Sequence, residues 1–320
     1  MRLRHLAVLL LSTTLLATAC SASEGTEQVS TLRQPDKVTV GVIPILDVAP
    51  IYLGVQKGFF AKRDMDVTLK QEAGGADIIP AVVRQKYQFG FSNVVSLLLA
   101  QQEGNPVKMV SNGVASTGVH DQDFAALMVR GDSPIKSPKD LEGKTVAANT
   151  LQNIVDTTVR QSVRKDGGDP AKVKFTPMPF PDQPAALKAG DVDAVFVVEP
   201  FQQAVLAQGG RKIADSYVDT ALNLTVATYF TGLQQKVDNP GMVKRFTAAM
   251  QESLAYADDH PDEARKIISS YTEIDPATIE KLTLPKWPAD VNRDSMQTLA
   301  DLALEDGLLA KPAHVENLFP

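Results

Sequence analysis

The chain has 320 residues, 38 acidic and 32 basic side chains, a formal net charge of −6 and a single cysteine. An acidic balance disfavours nucleic acid and anionic lipid as partners, because both are bound mainly through basic patches. One cysteine excludes an intramolecular disulfide and a cysteine-rich metal cluster.

Residues 1–5 carry Arg2 and Arg4, residues 6–17 form an apolar run, and Ala17, Thr18 and Ala19 precede Cys20. A basic start, a short apolar core and a small-residue cleavage site follow the order of a secretory signal. The run is shorter than the ~20 apolar residues that a membrane-spanning helix needs. Leu16-Ala17-Thr18-Ala19-Cys20 resembles a bacterial lipobox, although Ala17 stands where a large aliphatic residue is usual. The alternative is an ordinary signal peptide cut near Ala19 or Ala22. An unpaired exported thiol invites wrong disulfides, which favours acylation. The expectation is a signal peptide over 1–19 and a lipidated Cys20 with a polar tether over 20–36. The protein is then exported and held on the outer face of the cytoplasmic membrane by this anchor alone. The body that follows is longer than one hydrophobic core usually serves, so two domains are expected.

The first α/β unit starts with a strand over 38–43 and a loop broken by Pro44. Pro50 then opens an amphipathic helix over 51–62, at a position where its missing N–H costs nothing. The pattern repeats: strand 67–71, the Gly74-Gly75 loop, helix 77–87, strand 89–92, helix 94–102 and strand 107–111. A second set follows, with strand 124–129, a helix start at Ser137-Pro138, strand 145–148, helix 155–165, strand 173–177, helix 184–189 and strand 194–198. A strand over 224–229 precedes four tail helices, over 242–258, 261–270, 276–284 and 293–305. Strands alternating with helices predict a mainly parallel α/β sheet in each half. The stretches 84–92 and 186–198 echo one another, each running from a helix end through a polar turn into an apolar strand. Two α/β lobes with a cleft between them follow, and ligands of open α/β sheets bind beyond the carboxyl ends of the strands.

The segment from Ala49 to Lys62, with Lys57-Gly58-Phe59-Phe60 as its most specific part and Met65-Asp66-Val67 after it, resembles the solute-binding proteins of ABC importers. The class concerned takes sulfonates, taurine, nitrate and thiamine pyrimidines. Asp140-Leu141-Glu142-Gly143-Lys144 and Lys188-Ala189-Gly190-Asp191-Val192-Asp193 are similar to two further stretches of that family. Asp64 stands where the family usually has Gly, and Gln88 where it favours Asp. The resemblance implies a periplasmic-binding-protein-like (type II) clamshell with two crossover segments. Lobe one would comprise 37–118 and 230–320, and lobe two 119–229. It further implies a small organic solute, a membrane permease as partner, a monomer and no cofactor.

The candidate ligand contacts are the strand-end residues. In lobe one these are Leu46, Asp47, Gly74, Gly75, Ser92 and Asn93; in lobe two, Asn149, Thr150, Gln152 and Glu199. Ser116, Thr117 and His120 lie near the first crossover, and Tyr52 and Tyr229 offer aromatic surface. Each has a plainer alternative. Asn93 suits an N-cap as well as a ligand contact, and Gly74-Gly75 suits a turn as well as a close approach. Glu199 can hold its own loop, and Ser116, Thr117 and His120 can solvate the crossover. Asp47 is either a solvated loop carboxylate or a cleft carboxylate paired with an amine or hydroxyl donor. Two acids facing the cleft argue for a neutral, nitrogen-bearing or aromatic solute over a small strong anion.

Two other functions compete. The fungal pyrimidine synthases of thiamine biosynthesis share the resemblance, but they resemble a cysteine-rich, metal-dependent pattern that one cysteine at the leader boundary cannot supply. A ligand-sensing lipoprotein that docks a receptor is the other. No metal site and no catalytic role are expected.

Overall fold

Parallel strands buried on both faces read as unbroken apolar runs, and the chain holds two such sets. The computed structural model describes residues 34–319. The expected leader over 1–19, the expected lipidation at Cys20 and the expected tether as far as residue 33 lie outside the described residues. The first half contains β1 (Asp36–Val42), α1 (Ala49–Gln56), β2 (Met65–Gln71), α2 (Gly75–Val83), β3 (Phe89–Asn93), α3 (Val94–Gln102) and β4 (Val107–Ala115). The second contains β5 (Ala125–Val129), β6 (Thr145–Ala148), α4 (Ile154–Lys165), β7 (Lys174–Pro177), α5 (Gln183–Ala189), β8 (Ala194–Val198), α6 (Phe201–Ala207), β9 (Arg211–Ala214) and α7 (Ser216–Thr220). The chain then returns through β10 (Thr225–Gly232) and ends in α8 (Leu233–Asp238), α9 (Pro240–Asp259), α10 (Pro261–Lys266), α11 (Pro276–Ile279) and α12 (Arg293–Glu305).

The strands form two five-stranded sheets of the same design. Lobe one has the order β2-β1-β3-β10-β4 and lobe two β7-β6-β8-β5-β9. In each, one strand runs against its neighbours: β10 pairs antiparallel with β3 and β4, and β5 with β8 and β9. Each antiparallel strand is the first one laid down after a crossover. Every residue of β5 and β8 is buried, as expected of central strands covered on both faces.

The two lobes also share a local device. Gln88 Oε1 accepts the Thr39 N–H at 2.8 Å, and Asp193 Oδ2 accepts the Thr145 N–H at 2.9 Å. Both residues precede an inner strand and tie it to its parallel neighbour, β1 in lobe one and β6 in lobe two, so Gln88 does in lobe one what Asp193 does in lobe two. Asp64 takes the left-handed conformation (φ 55°) that its place in the motif requires.

Several sequence-based expectations are corrected. The helix expected over 51–62 stops at Gln56, because Gly58 turns to φ 76° and the Phe59 N–H closes back on the Gly54 carbonyl. The segment at Ser137 is a short 3-10 turn, although Ser137 and Asp140 form a capping box there. The elements α6, β9 and α7 were not expected. β10 pairs only within the sheet of lobe one, which puts the return crossing ahead of Thr225 rather than after Tyr229. The tail is not wholly helical: the helix expected over 276–284 ends at Ile279, and residues 280–292 run irregularly past the crossover, pairing once at Ala115–Lys286.

Apolar burial joins the lobes to one another. Val40, Phe89, Tyr229 and Phe246 of lobe one belong to the same buried cluster as Leu127, Phe196 and Tyr217 of lobe two. Phe246 of α9 stacks on Phe89 with ring centroids 3.7 Å apart and meets Tyr229 edge-on.

Candidate functional site: the cleft between the lobes

The carboxyl ends of β1, β2 and β3 face those of β6 and β8, and the lobes touch there. The Leu46 N–H donates to the Glu199 carbonyl at 3.0 Å, and Asn149 Nδ2 donates to the Ala73 carbonyl at 3.2 Å. Gly74 is extended and pressed against lobe two. A Cβ at this position would lie 2.7 Å from Thr150 Cγ2 and 2.9 Å from Asn149 Nδ2. One at Gly75 would lie 2.1 Å from Ser92 Oγ. Both glycines therefore serve close approach.

On the lobe-one side the polar groups are buried and partly unpaired. Leu46, Asp47 and Val48 form a buried 3-10 turn after β1. Asp47 is 2% exposed, and its Oδ1 has no hydrogen-bond partner. Burial, with a smaller contribution from the Asp123 charge, pushes its carboxyl up to about 8. Ser92 and Tyr229 are also buried with unpartnered hydroxyls. Burial drives the Tyr229 and Tyr271 hydroxyls well above their usual range, so both keep their protons. Tyr52 stacks on Tyr271 at 3.9 Å, and its hydroxyl accepts from Gln71. Asn93 is the N-cap of α3: its Oδ1 accepts the Ser96 N–H at 2.9 Å and its Nδ2 donates to Ser96 Oγ at 3.0 Å.

On the lobe-two side the candidate contacts Asn149, Thr150 and Glu199 are hydrogen-bonded, although Gln202 Oε1 and Gln183 Oε1 are buried without a partner. Asn153 donates to Asn149 Oδ1 and Thr150 Oγ1, and its Oδ1 accepts the Val155 N–H, which caps α4. Asp156 completes that capping box and is raised to about 6 by burial. Gln152, expected among the contacts, is exposed at φ 56°; the tight turn into α4 aims Asn153 inward instead. Glu199 is fully buried, yet its oxygens accept from Thr283 N, Gln203 Nε2 and Gln203 N. Burial raises it to about 7. It holds its own loop and the tail. At the crossover, Ser116 Oγ, Thr117 Oγ1 and Thr117 N all donate to the buried Asp123 carboxylate. His120 is exposed, 3.9 Å from Asp215 and Asp219.

Four residues absent from the expectations complete the site: Asp123, Asn153, Tyr271 and Trp287. Trp287 Nε1 donates to the Asp47 carbonyl at 3.1 Å, and the Tyr271 hydroxyl to the Ile45 carbonyl at 3.1 Å. The tail thus walls the cleft beside the β1 loop. Asp123, an acid between a crossover and an apolar strand, carried a weak sequence signal; Tyr271 and Trp287 carried none, since only tertiary contact brings them here.

A recess of about 590 Å³ opens between the lobes and the tail, with Pro44 and Gln71 from lobe one, Pro200 and Phe201 from lobe two, and Tyr271 and Glu273 from the tail among its walls. A second, of about 300 Å³, shares Pro44, Gln71 and Pro181 with it and adds Glu72 and Phe180. Neither wall contains a lysine or an arginine.

Residues 46–264 match the model of the family described as NMT1/THI5 like. The chain belongs to the NMT1/THI5-like family. A protein of Escherichia coli (strain K12), provisionally named as aliphatic sulfonates-binding, is 27% identical over 205 residues, which span 60% of this chain and 61% of that one. The riboflavin-binding protein RibY of Chloroflexus aurantiacus is 24% identical over 78% of this chain and 73% of its own. A 4-amino-5-hydroxymethyl-2-methylpyrimidine phosphate synthase of Legionella pneumophila is 22% identical over 68% of both. In fold, the chain is similar to the alkanesulfonate-binding protein SsuA of Xanthomonas axonopodis pv. citri, with a TM-score of 0.74 at 17% identity over 90% of this chain and 99% of that one. The chain thus shares the two-lobed clamshell fold of that binding protein.

Proposed function

We propose that the protein is the extracytoplasmic solute-binding lipoprotein of an ABC importer, anchored through Cys20, which holds a small organic solute between its lobes and delivers it to a membrane permease. The observation that carries this reading is the unpartnered Asp47 oxygen, buried in the turn after β1 near the unpartnered Tyr229 hydroxyl, where Leu46 of that turn meets Glu199 of lobe two. Buried polar groups are almost always paired, and a solute that pairs with these groups while touching lobe two favours the closed form over the open one. Closure follows from that difference in affinity.

The solute is nitrogen-bearing or aromatic, and not a small strong anion. Support comes from the acids at the floor, the absence of basic side chains from both recess walls, and the Tyr271 and Phe201 rings available for stacking. The synthase among the relatives keeps an enzymatic reading in view. Against it, His120, the histidine nearest the crossover, is exposed, and among the described residues no histidine or cysteine is bonded to the buried acids Asp47, Asp123 and Glu199.

Calorimetric titration with riboflavin, an aminopyrimidine and ethanesulfonate tests the reading. Micromolar or tighter binding of a nitrogen-bearing compound supports it, tight binding of ethanesulfonate alone overturns the solute class, and product formation from the aminopyrimidine overturns the transport role. Membrane retention of a Cys20→Ser variant would overturn the anchor and leave solute capture untouched.

A further inference from the structure

Three carboxylic acids are buried around the cleft: Asp47, Asp123 and Glu199, each no more than 2% exposed. Asp123 and Glu199 have backbone and side-chain donors on their oxygens, whereas Asp47 Oδ1 has none. Asp47 is also ringed by aromatic residues. Trp287 bonds to its carbonyl, Tyr271 bonds two residues upstream and stacks on Tyr52, and the Tyr217 and Tyr229 hydroxyls are both close enough to sense its charge. Glu72, Glu273 and Asp275 stand in the walls of the two recesses, which hold no lysine or arginine.

Resting on the solute-capture reading, we propose that Asp47 and the aromatic side chains around it hold a positively charged nitrogen of the solute, an organic ammonium or amidinium. A buried carboxylate needs donors or a counter-charge, and among the described residues Asp47 Oδ1 has no donor and the carboxyl has no ion-pair partner. Aromatic faces carry negative potential and attract cations most strongly where water is excluded. A sulfonate leaves Asp47 protonated and a neutral amide can pair its oxygen, but only a cation balances the charge that appears when Asp47 gives up its proton. The site therefore selects on charge, which the family resemblance alone does not imply.

The proton follows from the same arrangement. The titratable groups facing Asp47 are Asp123 from the crossover, Tyr217, Tyr229 and Tyr271, with Glu199 beyond Leu46. All are acids or phenols. In the empty cleft Asp47 keeps its proton up to about pH 8. A bound cation favours the carboxylate, so binding releases a proton to solvent and weakens as pH falls below that value.

Three planar compounds of similar size, benzamidine, benzamide and benzenesulfonate, separate charge from shape. Titrated calorimetrically into the detergent-solubilised full chain at pH 7.5, benzamidine is expected to bind at least tenfold more tightly than benzamide, with benzenesulfonate weakest. Benzamidine affinity should drop several-fold per pH unit between 8 and 6, with proton release read from buffers of different ionisation heat. Asp47→Asn should bring benzamidine and benzamide within twofold of each other. Tyr271→Leu should weaken benzamidine at least threefold where Tyr271→Phe does not, and melting curves identify any variant that fails to fold. Benzamide binding as tightly as benzamidine, or an Asp47→Asn protein that keeps the preference, overturns the proposal. Riboflavin serves as the control: if it binds and benzamidine does not, the cation site falls and solute capture stands. If none of the four binds, both fall.

Discussion

Two acids end a first or inner strand of their lobe, one on each side of the cleft, and they differ in what surrounds them. Glu199 in lobe two is buried and fully bonded; Asp47 in lobe one is buried with an oxygen left over. The sheets that carry them are built alike, to the level of Gln88 and Asp193 capturing the N–H of Thr39 and Thr145. The asymmetry is therefore confined to the floors. A filled polar network holds a loop in place, while an unfilled one leaves an energetic cost for a solute to relieve.

The largest effect that would break this comparison is on stability. Glu199→Ala leaves the half-buried Thr283 and Gln203 donors unpaired, and should cost about 3–5 kcal/mol for the three lost hydrogen bonds. Asp47→Ala removes a carboxyl whose Oδ1 has no partner, and should cost far less. Urea denaturation at pH 7 compares them, and equal losses would dissolve the distinction.

The next effect is in pH dependence. Asp47 rises from 3.8 to about 8 on folding, so the folded state holds its proton more tightly. Its contribution to stability is greatest below the unfolded value and is lost progressively as pH climbs from about 4 to 8. Asp47→Asn should flatten the stability profile across that window and be more stable than the wild type at pH 8 by several kcal/mol. Glu199, raised from 4.5 to about 7, gives a slope over a narrower range that Asp47→Asn leaves in place. A profile unchanged by Asp47→Asn contradicts the buried, unpaired acid.

A smaller effect isolates closure. Gly74→Ala needs no backbone strain, because Gly74 is already extended, but its methyl meets Asn149 and Thr150 only when the lobes come together. Solute affinity should fall about tenfold, or ~1.4 kcal/mol, with little change in melting temperature. The smallest is Asn93→Ala, which removes an N-cap worth about 1 kcal/mol and should shift riboflavin affinity less than twofold. A large loss of affinity would return Asn93 to the ligand set.

Much of the scaffold was legible because apolar runs mark central strands: 145–148, 194–198, 94–102 and 293–305 were read to the residue. What was missed has a physical reason. β9 is a four-residue edge strand with mixed Arg, Lys, Ile and Ala, too short for alternation to show. The boundary at β10 was hidden because an antiparallel strand carries no local sign of which sheet it joins. Asp47 and Glu199 looked equivalent as strand-end acids, and only the donors from residues 203 and 283 separate them. Asn153, not Gln152, faces inward because a turn at φ 56° precedes it. Trp287 and Tyr271 lie in a stretch without periodicity, and their place against the β1 loop is a property of the folded chain alone.

The central claim is that one solute engages both floors, with lobe one supplying the unfilled groups. Hydrogen exchange with and without the tightest-binding compound of the calorimetric panel tests it most directly. Protection should rise together in 45–48 and 91–93 of lobe one and in 149–155 and 199–203 of lobe two. Protection confined to one lobe, or equal slow exchange in both states, would contradict a solute-driven clamp.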